Sequence, residues 1–159
     1  MKKNRTRKDS KALGARKSTR TASRETKEKK IRIVLVDDHT LMRRGLAVML
    51  QRYPGIEIIG EAADGESAVK LVYQLKPDVV LMDISMPVMD GIKATHIIHS
   101  ELPGIAIIGL SMFPETELAA AMQAAGAVAY VCKTDPPDNL IAAIRASSQR
   151  RPEKQGQDT

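Results

Sequence analysis

The chain has 159 residues and a formal charge of +6, with one cysteine, no tryptophan, one phenylalanine and three tyrosines. This length suits one domain of ordinary size with extensions; the lone Cys132 excludes an internal disulfide and fits a reducing cytoplasm, and so few rings argue against a flavin site built on stacking. No apolar run approaches the roughly 18 residues that a membrane span needs.

The positive charge is local. Residues 1–30 hold 13 of the 25 basic and 3 of the 19 acidic residues, a net of +10, which leaves −4 for residues 31–159. Beyond Met1 this segment carries one large aliphatic side chain, Leu13. So little apolar surface cannot offset the entropy of ordering, and a disordered basic tail is expected. The segment lacks both the apolar stretch of a secretory signal and the amphipathic face of a transit peptide. Nucleic acid would be contacted only through residues 1–30, by charge; a solvated leader is the plainer expectation.

From Ile31 the texture changes. Ile31-Arg32-Ile33-Val34-Leu35-Val36 reads as a strand ending in Asp37-Asp38. Leu41, Met42, Gly45, Leu46, Met49 and Leu50 then recur at helical spacing, and Pro54-Gly55 closes that helix. Ile56 to Gly60 is a second strand, Asp64-Gly65 a turn, and Ala68, Val69, Val72 and Leu75 mark a helix that stops before Pro77. The stretch Val79-Val80-Leu81-Met82 is uniformly apolar and half β-branched, which suits a strand buried on both faces. Pro87 cannot extend a ladder, so this strand ends at Asp83. A helix follows from about Gly91 to Leu102, with Ile92, Ile97 and Ile98 inward. Ile105 to Leu110 is the fourth strand, ending in Ser111; an alanine-rich helix from Glu115 to Ala125 stops at Gly126. Val128 to Val131 is the fifth strand, running into Cys132 and Lys133, and Asp135-Pro136-Pro137 opens a last helix with Leu140, Ile141 and Ile144 on its apolar side.

Strand and helix alternate five times with short connections. That pattern predicts an α/β fold: a parallel sheet with right-handed crossovers and helices on both faces. The expected organisation is a tail over 1–30, one domain over 31–147 and a polar tail over 148–159.

In a parallel sheet the carboxyl ends of all strands share one rim, where open α/β sheets place their ligand sites. Asp37, Asp38, Asp83, Ser111 and Lys133 stand there. Taken singly each has a plainer role: Asp83 and Ser111 as turn residues, Lys133 as a surface lysine, Asp38 or Thr40 as a cap of the first helix. Together they are specific. Three converging carboxylates repel one another and call for a cation, and hard oxygen ligands favour magnesium. Magnesium binds through one or two carboxylates plus phosphate oxygens, which suggests phosphoryl chemistry, and a carboxylate can itself be the nucleophile. Lys133 and the Ser111 hydroxyl would meet the phosphoryl oxygens. Met82, Met86, Met89 and Met112 are expected to pack, and Cys132 to be a small buried side chain. His39, His96 and His99 show no ligand arrangement, though His39 adjoins the acids.

The motifs VLVDDH, LMDISMPVMDG, GLSM and AYVCK, in this order and spacing, resemble a response-regulator receiver domain of two-component signalling over residues 31 to about 147. The texture is closest to receivers found before helix-turn-helix outputs or at the ends of hybrid sensor kinases. The resemblance implies a doubly wound, flavodoxin-like five-stranded sheet of order 2-1-3-4-5 and a cytoplasmic signalling module, not an enzyme with a separate substrate. By position it implies that Asp83 accepts a phosphoryl group and that Asp37, Asp38, Asp83 and the Ser85 carbonyl bind Mg2+. Ser111 and Lys133 would hold phosphoryl oxygens, and Ser111 and Tyr130 would switch together. The implied partner is a histidine kinase or histidine phosphotransfer protein, with a homodimer left open. One departure is Thr134, where many members carry proline after the lysine. The alternative is a DNA-binding transcriptional regulator whose output domain is missing or replaced by the basic tail: after the last helix only about a dozen polar residues remain, fewer than a helix-turn-helix needs. A phosphohydrolase is disfavoured, because no P-loop is present and Ser85 stands two residues after Asp83, where a second acid would be needed.

Overall fold

Runs of isoleucine, valine and leucine become the strands β1 (Ile31–Val36), β2 (Ile56–Ala62), β3 (Val79–Asp83), β4 (Ala106–Ser111) and β5 (Ala129–Cys132). Between and after them lie α1 (Thr40–Gln51), α2 (Gly65–Leu75), α3 (Gly91–Glu101), α4 (Thr116–Ala125) and α5 (Pro137–Ser148). The computed structural model describes residues 29–114 and 116–149; the tails expected over 1–30 and 148–159 lie almost wholly outside them. All strands are parallel, in the order β2-β1-β3-β4-β5.

The two-residue period of the strands divides the core in two. Val34, Val36, Val80, Met82 and Ile107 face one way and pack against Ala68 and Val72 of α2, Ala94 and Ile98 of α3 and Met122 of α4. Ile33, Leu35, Val79, Leu81, Ile108 and Leu110 face the other way, against Ala47 and Leu50 of α1 and Leu140, Ile141 and Ile144 of α5. Each fully buried aliphatic side chain is worth about 1.5–3 kcal/mol of transfer free energy, which holds Val79 to Met82 of β3 buried and carries Asp83, the strand's last residue, in with them. The arrangement positions the site. β1 and β3 are neighbours, yet α1 and α3 leave them to opposite faces, and a crevice opens between their carboxyl ends.

Several boundaries differ from the sequence expectation. β2 runs two residues past Gly60, because a register irregularity between Ile33 and Val34 lets Glu61 and Ala62 pair with Leu35 and Val36. The first helix is capped by neither Asp38 nor Thr40: His39 holds the N-cap position without a side-chain bond, so the Asp38 carboxylate is not committed to the helix. Met112 is 43% exposed and does not pack as expected, whereas Met82 is fully buried and Met86 and Met89 pack partly.

Asp64 is more than a turn residue. Its carboxylate caps α2, accepting from the Ser67 backbone N–H and hydroxyl, each at 2.8 Å. The Ser67 N–H bond, ahead of the hydroxyl, holds its pKa below the ordinary aspartate value. Asp64→Ala should therefore cost about 1 kcal/mol in denaturant unfolding at neutral pH. A group whose pKa is lower in the fold stabilises it above its unfolded value and loses that contribution as pH falls through the folded value. The gap between wild type and variant should thus close in acid; a gap that widened would refute the capping account.

Candidate functional site

β1 ends one residue before Asp37, whose N–H donates to Ala62 O at 3.1 Å and so carries the edge of the sheet past the strand. The Asp37 side chain is fully buried. One oxygen accepts from the His39 N–H at 2.8 Å; the other lies 2.6 Å from Lys133 Nζ. Asp83 is the last residue of β3 and is buried beside it. Lys133 follows β5, and its N–H donates to Ser111 O at 2.7 Å, which continues the β4–β5 ladder and aims the side chain inward. Its ammonium bridges both acids, 2.6 Å from Asp37 Oδ2 and 3.0 Å from Asp83 Oδ1, and its side chain is 2% exposed.

These contacts set the electrostatics. Burial pushes the Asp83 carboxyl up; Lys133 pulls it back through a hydrogen bond and its charge, while Asp37 and Asp38 add repulsion, and the net direction is upward. Burial works against the Lys133 charge, but its bonds to Asp37 and Asp83 outweigh it and hold the ammonium above its usual value. Three acidic side chains facing one ammonium in a low-dielectric crevice favour a divalent cation. Oxygens of Asp37, Asp38 and Asp83 lie within 4.8 Å of one another, and a His39 nitrogen lies with them. Asp38 Oδ1 is buried yet accepts no hydrogen bond. A buried carboxylate oxygen without a donor is what a cation would satisfy, so the residues present fit magnesium.

Ser111 ends β4 and is buried; its hydroxyl accepts from the Phe113 N–H at 3.2 Å. Tyr130, half-buried on β5, donates to Phe113 O at 2.7 Å. The expected pair is therefore brought together through the two backbone groups of Phe113. Ser85 is exposed and lines, with Asp83, Ser111 and Lys133, a cavity of about 770 Å³ whose further walls are apolar side chains of α1 and α5 such as Leu46, Met49 and Leu140. Cys132 is buried, as expected, with its sulfur 3.0 Å from Thr134 Oγ1.

Two site residues escaped the sequence reading. His39 does have a ligand arrangement, with Nδ1 at 3.0 Å from Asp38 Oδ1 and 3.5 Å from Asp37 Oδ1; its place directly after the acid pair was the available signal. Arg43 donates to Asp37 O at 2.5 Å and to Glu61 Oε2 at 2.9 Å, tying α1 and β2 to the acidic turn. A lone arginine one turn into a helix gives no sequence cue.

A family model described as "Response regulator receiver domain" matches residues 33–145. The chain is 45% identical over 122 residues to the transcriptional regulatory protein LiaR of Bacillus subtilis, covering 77% of this chain and 58% of LiaR. It is 42% identical over 122 residues to the response regulator UvrY of Escherichia coli, covering 76% of this chain and 56% of UvrY. The chain thus spans little more than half the length of these curated relatives. A crystal structure of a LuxR-family two-component response regulator from Aurantimonas superposes with a TM-score of 0.73 at 36% identity, over 77% of this chain and 89% of that one. CheY in the CheX–CheY–BeF3–Mg complex of Borrelia burgdorferi gives a TM-score of 0.69 at 26% identity, over 74% and 89%.

Proposed function

This chain belongs to the response regulator receiver domain family, a signalling module rather than a conventional enzyme, and on that premise we propose that Asp83 takes a phosphoryl group from phosphohistidine and thereby switches a protein-binding surface. A receiver implies a cognate histidine kinase; a phosphotransfer protein would serve equally as donor. The supporting observation is the Asp83 carboxylate on a cavity wall with Lys133 Nζ 3.0 Å from one oxygen, which leaves the other oxygen for attack. That oxygen forms the new O–P bond as the P–N bond breaks, and the imidazole departs with the electron pair and takes up a proton. Asp37, Asp38, Asp83 and the Ser85 carbonyl would hold magnesium, which supplies charge neutralisation at the phosphoryl oxygens. The magnesium in the Borrelia CheY complex supports that assignment by likeness.

Lys133 and Ser111 then serve the product. The ammonium follows the charge from the carboxylate to a phosphoryl oxygen, and the Ser111 hydroxyl turns away from the Phe113 N–H to donate to another phosphoryl oxygen. That turn releases the Phe113 N–H, whose carbonyl is the anchor of Tyr130. One local exchange of hydrogen bonds thus reaches β5 and the segment before α4, and a surface on α4, β5 and α5 changes packing. Intact mass after incubation with magnesium and a small phosphodonor tests this: a gain of one phosphoryl group is expected, and no gain refutes it.

A second reading, control of transcription, is favoured by the description of LiaR as a transcriptional regulatory protein. Among residues of this chain, DNA contact would fall to the net +10 of residues 1–30, which lie outside the described residues apart from Lys29 and Lys30. Retention on duplex DNA should then be sequence-independent and weaken steeply, by orders of magnitude, between about 50 and 200 mM salt. It should vanish when residues 1–28 are deleted; retention that survives deletion would place the contact elsewhere. Among the described residues no helix is long and apolar enough to cross a membrane.

A further inference from the structure

His39 is held where it is by the site itself. Its N–H donates to Asp37 Oδ1 at 2.8 Å and its carbonyl accepts from the Arg43 N–H at 2.9 Å, so the backbone is pinned to one of the acids. The imidazole plays no part in holding the fold, since it makes no capping bond for α1 and 72% of the side chain is exposed. Yet Nδ1 stands 3.0 Å from Asp38 Oδ1 and 3.5 Å from Asp37 Oδ1. The closer pair is not aligned as a hydrogen bond, since Asp38 Oδ1 accepts none. The contact is a close approach of two ligand-type atoms outside hydrogen-bond geometry. Neighbouring ligands on one octahedral ion with bonds of about 2.1 Å lie about 3.0 Å apart.

We propose that His39 is a nitrogen ligand at the acidic site and biases it toward transition-metal dications over magnesium. The inference rests on the reading of Asp37, Asp38 and Asp83 as a cation site. Carboxylate and carbonyl oxygens alone suit magnesium, which gains little from imidazole. One imidazole added to the same oxygens raises affinity along the series manganese, cobalt, nickel, because nitrogen ligands share in that order and magnesium does not. In a cell the identity of the bound ion would then follow metal supply.

The full chain loaded with Mn2+ provides the test. Pulsed electron paramagnetic resonance should show 14N coupling from a directly bound imidazole, and His39→Ala should lose the coupling while still binding the ion. Titrations of Ni2+ and Mg2+ by calorimetry should show the Ni2+/Mg2+ affinity ratio falling about tenfold in His39→Ala. Bound Mn2+ without nitrogen coupling, or an unchanged ratio, would overturn the proposal and leave the three-acid site standing. Absence of any bound Mn2+ in the wild type, or binding indifferent to Asp83→Asn, would overturn both. Circular dichroism checks that the exposed substitution keeps the fold.

Discussion

Asp83→Asn should abolish the gain of one phosphoryl group and leave the fold intact. Asparagine has nearly the shape of aspartate, and its amide oxygen can still accept from Lys133 as the carboxylate does at 3.0 Å. It cannot form an acyl phosphate, because the neutral amide is not a nucleophile of the required kind. The loss should therefore be complete rather than partial, with intact mass equal before and after incubation with the phosphodonor. Stability should move the other way. Burial and the charges of Asp37 and Asp38 raise the Asp83 pKa against the pull of Lys133, so the ionised carboxylate is a net cost to the folded state at neutral pH. Removing it leaves Lys133 paired with Asp37 at 2.6 Å. The metal-free variant should melt at the same temperature as wild type or higher. Labelling that persisted in Asp83→Asn would move the acceptor to another residue, and a lower melting temperature would mean that the Lys133 bridge depends on the second carboxylate.

The same site shows what a sequence can and cannot disclose. Val79 to Met82 is so uniformly apolar that burial on both faces follows from composition, and Asp83 marks the end of the strand because Pro87 lies beyond it. The gathering of Asp37, Asp38, Asp83 and Lys133 follows from parallel strands sharing a rim; the order β2-β1-β3-β4-β5 came from family resemblance and the structure bears it out. What was illegible depends on contacts distant in sequence. Glu61 and Ala62 have little strand propensity and are held by pairing with Leu35 and Val36. The capping role of Asp64 was hidden because Asp-Gly signals a turn as readily as a helix start. His39 shows no ligand arrangement in the sequence beyond adjoining the acids, and its partners in the fold are the two residues before it. Ser111 and Tyr130 were paired in expectation, but the carbonyl and N–H that join them belong to Phe113, on an irregular segment that no periodicity predicts.

Gly91→Ala should be the most damaging single methyl group in the domain. Gly91 is the first residue of α3, behind the Asp90 cap, and its N–H donates to Ile84 O at 2.8 Å. A Cβ built there would lie 2.0 Å from Asp83 O, 2.9 Å from Asp83 C and 3.0 Å from Ile84 Cα. All three are backbone atoms at the end of β3, so no rotamer change relieves the clash; either α3 or the strand end must move. Overpacking of this kind costs about 3 kcal/mol or more, which in a domain of this size lowers the melting temperature by roughly 10 to 20 °C. The displaced carbonyl belongs to Asp83, the proposed phosphoacceptor, so on that proposal the surviving folded protein should also label more slowly. Gly45→Ala supplies the contrast. Gly45 sits inside α1 with nothing within 4 Å of a built Cβ, and there alanine should stabilise by about 0.5–1 kcal/mol through helix propensity. Two identical substitutions of opposite sign separate steric fit from propensity. A Gly91→Ala variant as stable as wild type would mean that α3 does not start against the carboxyl end of β3, and the loop that frames Asp83 would have to be redrawn.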